Sequence, residues 1–163
     1  MTEQRTIIHP RLGEVTLARS PRARRVTLSV RPSGAVRLAY PWRFAQARAL
    51  EFLETKIEWV EAARERLPPR IERWSQLTGL RYAKLTIRAS RSKWGSCTGQ
   101  NHISLSLFLM TLPEHLRDFV ILHELCHTVH HDHSPRFHAL LDRLVGGHEK
   151  ALNRELRAYT TGR

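Results

Sequence analysis

Short runs of alternating apolar and polar residues dominate the first forty positions. Thr6-Ile7-Ile8, Val15-Thr16-Leu17, Val26-Thr27-Leu28-Ser29-Val30 and Ala35-Val36-Arg37-Leu38-Ala39 follow the two-residue period of half-buried strands. Pro32-Ser33-Gly34 between the last two runs is turn chemistry and predicts a hairpin. From Phe44 to Leu67 the spacing becomes helical, with Leu50, Leu53, Ile57 and Val60 on one stripe and Phe52 and Trp59 beside it. Pro68-Pro69 is expected to end that helix, because proline donates no backbone hydrogen bond and crowds the preceding turn. A short helix through Trp74 to Leu77, closed by Gly79, is expected to follow.

Two further strands are predicted at Lys84–Arg88 and His102–Leu107, joined by a small polar linker around Trp94, from Arg91 to Gly99. Pro113-Glu114 opens a helix expected to run to about His130. Ser134-Pro135 pairs an N-cap with a proline at the first helical position and starts another helix, which Gly146-Gly147 stops. A last helix is expected from about Glu149 to Tyr159. The chain contains no repeat, low-complexity tract or domain linker. The layout is α+β in a single domain, 1–163. Its parts are a basic strand-rich segment at 1–41, presumed antiparallel in its pairing, a helical segment at 42–79 and a core at 80–163.

Composition narrows the picture without naming a chemistry. A chain of 163 residues with 41% hydrophobic and 26% charged residues buries a core without covalent staples. No apolar run approaches the roughly 20 residues of a membrane helix, so no membrane partner is expected. Met1–Arg5 leads into no apolar stretch, so no secretory signal is read. Two cysteines, Cys97 and Cys126, make no disulfide framework, and the expected compartment is the cytoplasm. The net charge is +12, and residues 1–50 set ten arginines against Glu3 and Glu14 alone. A field of that sign draws polyanions through counterion release, which makes nucleic acid a candidate partner of the basic N-terminal region. Solvated strand faces in an Arg-rich chain are the plainer reading of the same charge.

Chemistry enters with His123-Glu124-Leu125-Cys126-His127. On a helix, residues four apart share a face, so both imidazoles reach one metal ion, while Glu124 addresses a water held there as general base. Two histidines leave a tetrahedral catalytic site one protein ligand short. His130 lies two turns along the same helix from His123 and is too far up the axis. His133, where the chain turns just before Ser134-Pro135, is the best-placed third ligand, with His138 and then Glu149 as alternatives. The expected cofactor is one Zn2+ per chain, and the expected activity is hydrolysis of a peptide or protein substrate. Two other classes fit some of these features: a nucleic-acid-binding module with a structural or vestigial zinc site, and a metal buffer built on the histidine-rich tract.

The segments Trp94-Gly95-Ser96-Cys97, Ile103-Ser104-Leu105, His123–His127 and His133-Ser134-Pro135-Arg136-Phe137 resemble the YgjP-like metallopeptidase family, itself similar to the SprT-like proteases. The resemblance spans residues 88 to 140. It implies a zincin-like domain whose HExxH helix packs near a small sheet, with His123, His127 and His133 as metal ligands and Glu124 as the catalytic residue. Three positions depart from the family pattern: Ser106 stands for an asparagine, Asp132 for another, and His138 for a tryptophan. In zincins an edge strand beside the motif helix pairs with extended substrate, and His102–Leu107 is the candidate here.

Overall fold

The computed structural model describes residues 1–160. Seven strands form one mixed sheet: β1 (Glu3–His9), β2 (Gly13–Ser20), β3 (Thr27–Val30), β4 (Val36–Pro41), β5 (Lys84–Arg88), β6 (Gly95–Cys97) and β7 (His102–Ser106). Their order across the sheet is β1-β2-β4-β3-β5-β7-β6. Five helices accompany it: α1 (Gln46–Glu54), α2 (Ile57–Thr78), α3 (Glu114–Cys126), α4 (Pro135–Leu144) and α5 (Glu149–Leu156), with a 3-10 turn at Leu107–Thr111. None of the helices is long and apolar enough to cross a membrane.

The hairpin predicted around Pro32-Ser33-Gly34 forms, pairing Val30 with Val36. Gly34 takes φ +89°, a backbone angle that side chains with a Cβ rarely adopt, and its N–H donates to the Arg31 carbonyl at 2.8 Å. Pairing in the N-terminal segment is not wholly antiparallel, however. The Pro21–Val26 connection carries the chain past the position of β4, so β4 enters between β2 and β3 and pairs parallel with β2. Nor is the sheet small, because Ser29 and Val30 of β3 pair with Arg88 and Ile87 of β5. The basic front segment and the later strands are therefore one continuous surface.

Helix boundaries differ from expectation in four places, three of them for a physical reason visible in the structure. Pro68 and Pro69 lie inside α2. An interior proline costs roughly 3 kcal/mol, but Leu67 and Ile71, four apart on the opposite face, are almost wholly buried and hold the helix through the break in its ladder. The expected helix from Phe44 divides instead at Thr55-Lys56, where the Thr55 hydroxyl donates to the Phe52 carbonyl at 2.7 Å. Lys56 is buried there, with Nζ 5.3 Å from the ring centres of both Phe52 and Trp59. Finally, α3 stops at Cys126 and not near His130, since the Thr128 hydroxyl takes the Leu125 carbonyl at 2.6 Å. The last helix likewise ends at Leu156, short of Tyr159.

One sheet face carries the core. Val15, Leu17, Leu28, Val30, Val36, Leu38, Ile87, Ile103 and Leu105 are buried on one side of the sheet, where α1 packs on β4, α2 on β5 and α3 on β6 and β7. A polar clamp fixes α3 to α2. Arg70 donates from Nε and Nη2 to the two Asp118 carboxylate oxygens, at 2.6 and 2.5 Å, and Trp74 Nε1 donates to Asp118 at 3.0 Å. Asp118 precedes His123 by little more than one helical turn, so the clamp sets the height of the site. Asp118→Ala leaves the partly buried guanidinium with Glu114 alone, 3.0 Å away, and strands the indole N–H. It is expected to cost about 1.5–3 kcal/mol, read as a lower midpoint in urea unfolding.

Candidate metal centre

The end of α3 and the turn into α4 bring three imidazoles together. His123 lies in the last turn of α3, His127 caps it in helical conformation, and His133 precedes the α4 N-cap Ser134. His133 Nε2 lies 3.1 Å from His127 Nε2 and 3.3 Å from His123 Nε2. All three ligand atoms fall within 4.8 Å of one another, and no other His, Cys, Asp or Glu among the described residues joins them. A tetrahedral ion with bonds of 2.0–2.1 Å spaces its donors about 3.3 Å apart. The spacing fits.

Protonation argues the same way. His127 Nδ1 faces the His130 carbonyl at 2.9 Å, and since a carbonyl only accepts, Nδ1 carries the hydrogen and Nε2 presents its lone pair. Burial, reinforced by the neighbouring imidazoles His127, His133 and His138, pushes the His123 pKa down to about 3. Burial also lowers that of His127. Neutral imidazoles with converging lone pairs are what a divalent cation requires and what bare protein does not otherwise favour.

Phe137 holds the three rings in place. It is fully buried, stacks on His127 with centroids 4.3 Å apart, and meets His123 at 4.9 Å and His133 at 5.0 Å edge-on. Ser134 accepts from the Phe137 N–H at 3.5 Å, so the cap that starts α4 also places this ring. The other histidines are engaged elsewhere. His131 Nε2 meets Asn101 Oδ1 at 3.0 Å, and His138 Nδ1 meets the buried Glu149 carboxylate at 2.5 Å. His138 and Glu149, the alternative third ligands, thus pair with each other outside the cluster. His130 contributes its carbonyl, and the helix on which its distance was reasoned has already ended.

Glu124 sits beside this cluster at 5% exposure, and its Oε2 has no hydrogen-bond partner among the described residues. Burial pushes its pKa up to about 7 against the opposing charge of Lys93. An orphaned buried carboxyl oxygen costs stability unless something else occupies it in use. The linker around Trp94 makes the wall on this side: Gly95–Cys97 form β6, and a Cβ on Gly95 would stand 2.9 Å from Glu124 Cγ and 3.2 Å from the Ser104 carbonyl. Neither Gly95 nor Phe137 was assigned a role by spacing; both lie inside the motif runs, which was the only signal. β7, the expected edge strand, is interior between β5 and β6, and β6 forms the edge. Ser106 caps the 3-10 turn through Phe108 N at 3.2 Å and donates to the Ser90 carbonyl at 2.8 Å. Burial raises the Cys97 thiol to about 11 and that of Cys126 to about 12, which disfavours the thiolate in both.

A family model described as YgjP-like, metallopeptidase domain, matches residues 61–159. The chain belongs to the YgjP-like family. No curated protein and no solved structure matches it. The match to this YgjP-like chain covers α3, α4 and β5–β7 and most of α2, and leaves β1–β4 outside. The family description names a metallopeptidase, and the three-histidine cluster fits a metal site in it.

Protein stripped of metal and then dialysed against zinc should retain close to one ion per chain by elemental analysis. His127→Ala should retain less than a tenth of that, with its far-ultraviolet circular dichroism unchanged.

Proposed function

We propose that this chain is a zinc-dependent peptidase of the zincin type, with His123, His127 and His133 holding the ion and Glu124 moving the proton. The observation that carries the reading is the orphaned Glu124 carboxyl beside three converging Nε2 atoms. Zinc bound by the three imidazoles would supply Lewis acidity, acidifying water and polarising a peptide carbonyl. The rest of the chemistry belongs to the chain. Glu124, buried and without a competing donor, accepts a proton from the attacking water and delivers it to the departing amine. A group whose pKa lies near neutrality performs both transfers with little penalty. Gly95 keeps that carboxylate in place by leaving no side chain between β6 and α3. The outer edge of β6 offers unpaired backbone groups to an extended substrate, so recognition would rest on main-chain hydrogen bonds more than on side-chain pockets.

The structural-zinc alternative is less favoured, because structural sites are closed by four protein ligands and this cluster has three. The metal-buffer alternative is weakened by His131 and His138, which are engaged with Asn101 and Glu149.

Glu124→Gln should bind zinc as tightly as the parent chain yet lose at least about 100-fold in hydrolysis of an unstructured protein such as casein. Undiminished cleavage by this variant would remove Glu124 from the mechanism. Gly95→Ala should keep its zinc and lose about 10- to 100-fold in kcat, because the added methyl displaces Glu124 by a fraction of an ångström to an ångström. A crystal structure of that variant would show the displaced carboxylate directly.

A further inference from the structure

Nearly all the net charge lies in one layer of the molecule. Residues 1–41 and 79–113, which make the strands and their connections, hold thirteen of the 27 Lys and Arg residues and two of the 15 carboxylates. The remaining segments, mostly helical, hold fourteen and thirteen. The sheet layer therefore carries a surplus of eleven and the helical layer a surplus of one, out of +12 in total. Charge is segregated by layer, which net charge alone does not require.

The register places Arg37, Lys84 and Arg88 on the side away from the helices, whereas Arg5 and Arg19 fall in the rows that face them. The buried row Val15–Val36–Val30–Ile87–Leu105 faces the helices. Side chains alternate across a strand, so the adjacent row Thr16–Arg37–Ser29–Arg88 points the other way. Lys84–His102 and Thr86–Ser104–Ser96 extend that face toward the β6 edge. Arg37 and Arg88 stand two strands apart, about 10 Å at ordinary strand spacing. Lys84 and Arg88 are exposed and Arg37 half-buried, and none of the three has an ion pair or side-chain hydrogen bond among the described residues. Several helix carboxylates, by contrast, have a basic partner: Asp118 has Arg70, Glu61 has Arg11 and Glu149 has His138. The one carboxylate among the strand residues of the open face is Glu14, opposite Ile8 at its far margin. Exposed Arg22, Arg24 and Arg25 lie in the connection between β2 and β3, at the rim.

We propose that the open face of the sheet binds the phosphate backbone of duplex nucleic acid, without reading base sequence. The composition of the face selects among polyanions. Its strand residues are Ser, Thr, Ala and cationic side chains with Gln4, Glu14, Pro41 and His102, and Ile8 is the single large aliphatic one, so it lacks the apolar centre of a protein interface. Its strand positions hold no Phe, Tyr or Trp, and half-buried Trp94 beside β6 stands alone, so it lacks the stacking platform that single strands use. Unpaired cations spaced over a broad polar surface suit phosphates, and phosphate contacts position a duplex without specifying it.

The test titrates the full chain into a short fluorescein-labelled DNA duplex across a salt series, reading anisotropy. The parent chain is expected to bind with a log–log salt slope of about −4 or steeper. R37Q/K84Q/R88Q should weaken binding at low salt at least about tenfold and make the slope shallower by about 2 to 3. The charge-matched variant R66Q/R73Q/K150Q, on the helical layer, should bind like the parent. Phenylglyoxal modification of the unaltered protein supplies the same answer without substitution, with Arg37 and Arg88 protected by duplex in mass spectra. Equal weakening by both triple variants would show a diffuse field and overturn the proposal. So would absence of duplex binding, or displacement of duplex by poly-aspartate at equal charge concentration, which would point to an acidic protein.

Discussion

Three imidazoles whose Nε2 atoms converge, His133 at 3.1 Å from His127 and 3.3 Å from His123, are an arrangement that a folded chain must be built to tolerate. Lone pairs that converge repel, and burial opposes protonation of His123 and His127. Much of the local structure answers to this constraint. The Thr128 hydroxyl helps stop α3 just after Cys126, the His130 carbonyl fixes the His127 tautomer, and Ser134 starts α4 where Phe137 can wedge the three rings together. Further back, the Arg70–Asp118 clamp ties α3 to a long α2 that continues through two prolines. The convergence of donors is thus supported by caps, one aromatic wedge and an ion pair, with each partner several residues from the imidazole it positions.

The buried carboxyl of Glu124 depends on a different element, the far end of the sheet. Gly95 can approach α3 because it has no side chain, and β6 is held in position by β7, which is held in turn by β5. The site is therefore assembled from two systems: a helix–turn–helix that places the metal donors, and a sheet edge that bounds the carboxylate. Both belong to the segment that the YgjP-like family model covers, while β1–β4 extend the same sheet beyond it. The extension enlarges the polar sheet face and adds Arg37 to it, beside Lys84 and Arg88 of β5.

How much of this was legible depended on how local the determinant was. The hairpin around Gly34, the start of α4 at Ser134-Pro135 and the pairing of His123 with His127 are set by neighbours within a few residues, where backbone geometry leaves few choices. Pro68-Pro69 misled, because its penalty is local while the compensating burial of Leu67 and Ile71 comes from the rest of the core. The Gly95–Cys97 segment reads as part of a linker since three residues carry no period; only pairing with β7 makes them a strand. The edge-strand assignment failed for the same reason, as position within a sheet is a property of partners.

Sequence by itself determined the chemistry available: two histidines four apart with a glutamate between them, a third histidine ahead of a helix cap, and a large positive charge. Those are matters of residue identity and of spacing along a single helix or turn. Tertiary structure decided which of the surplus histidines joins the cluster, by pairing His138 with Glu149 and His131 with Asn101 and leaving His133 to converge. It also decided that Gly95 borders Glu124 and that Arg37 and Arg88 share a row. These facts relate residues far apart in sequence, and only strand order and helix packing fix distances across such separations.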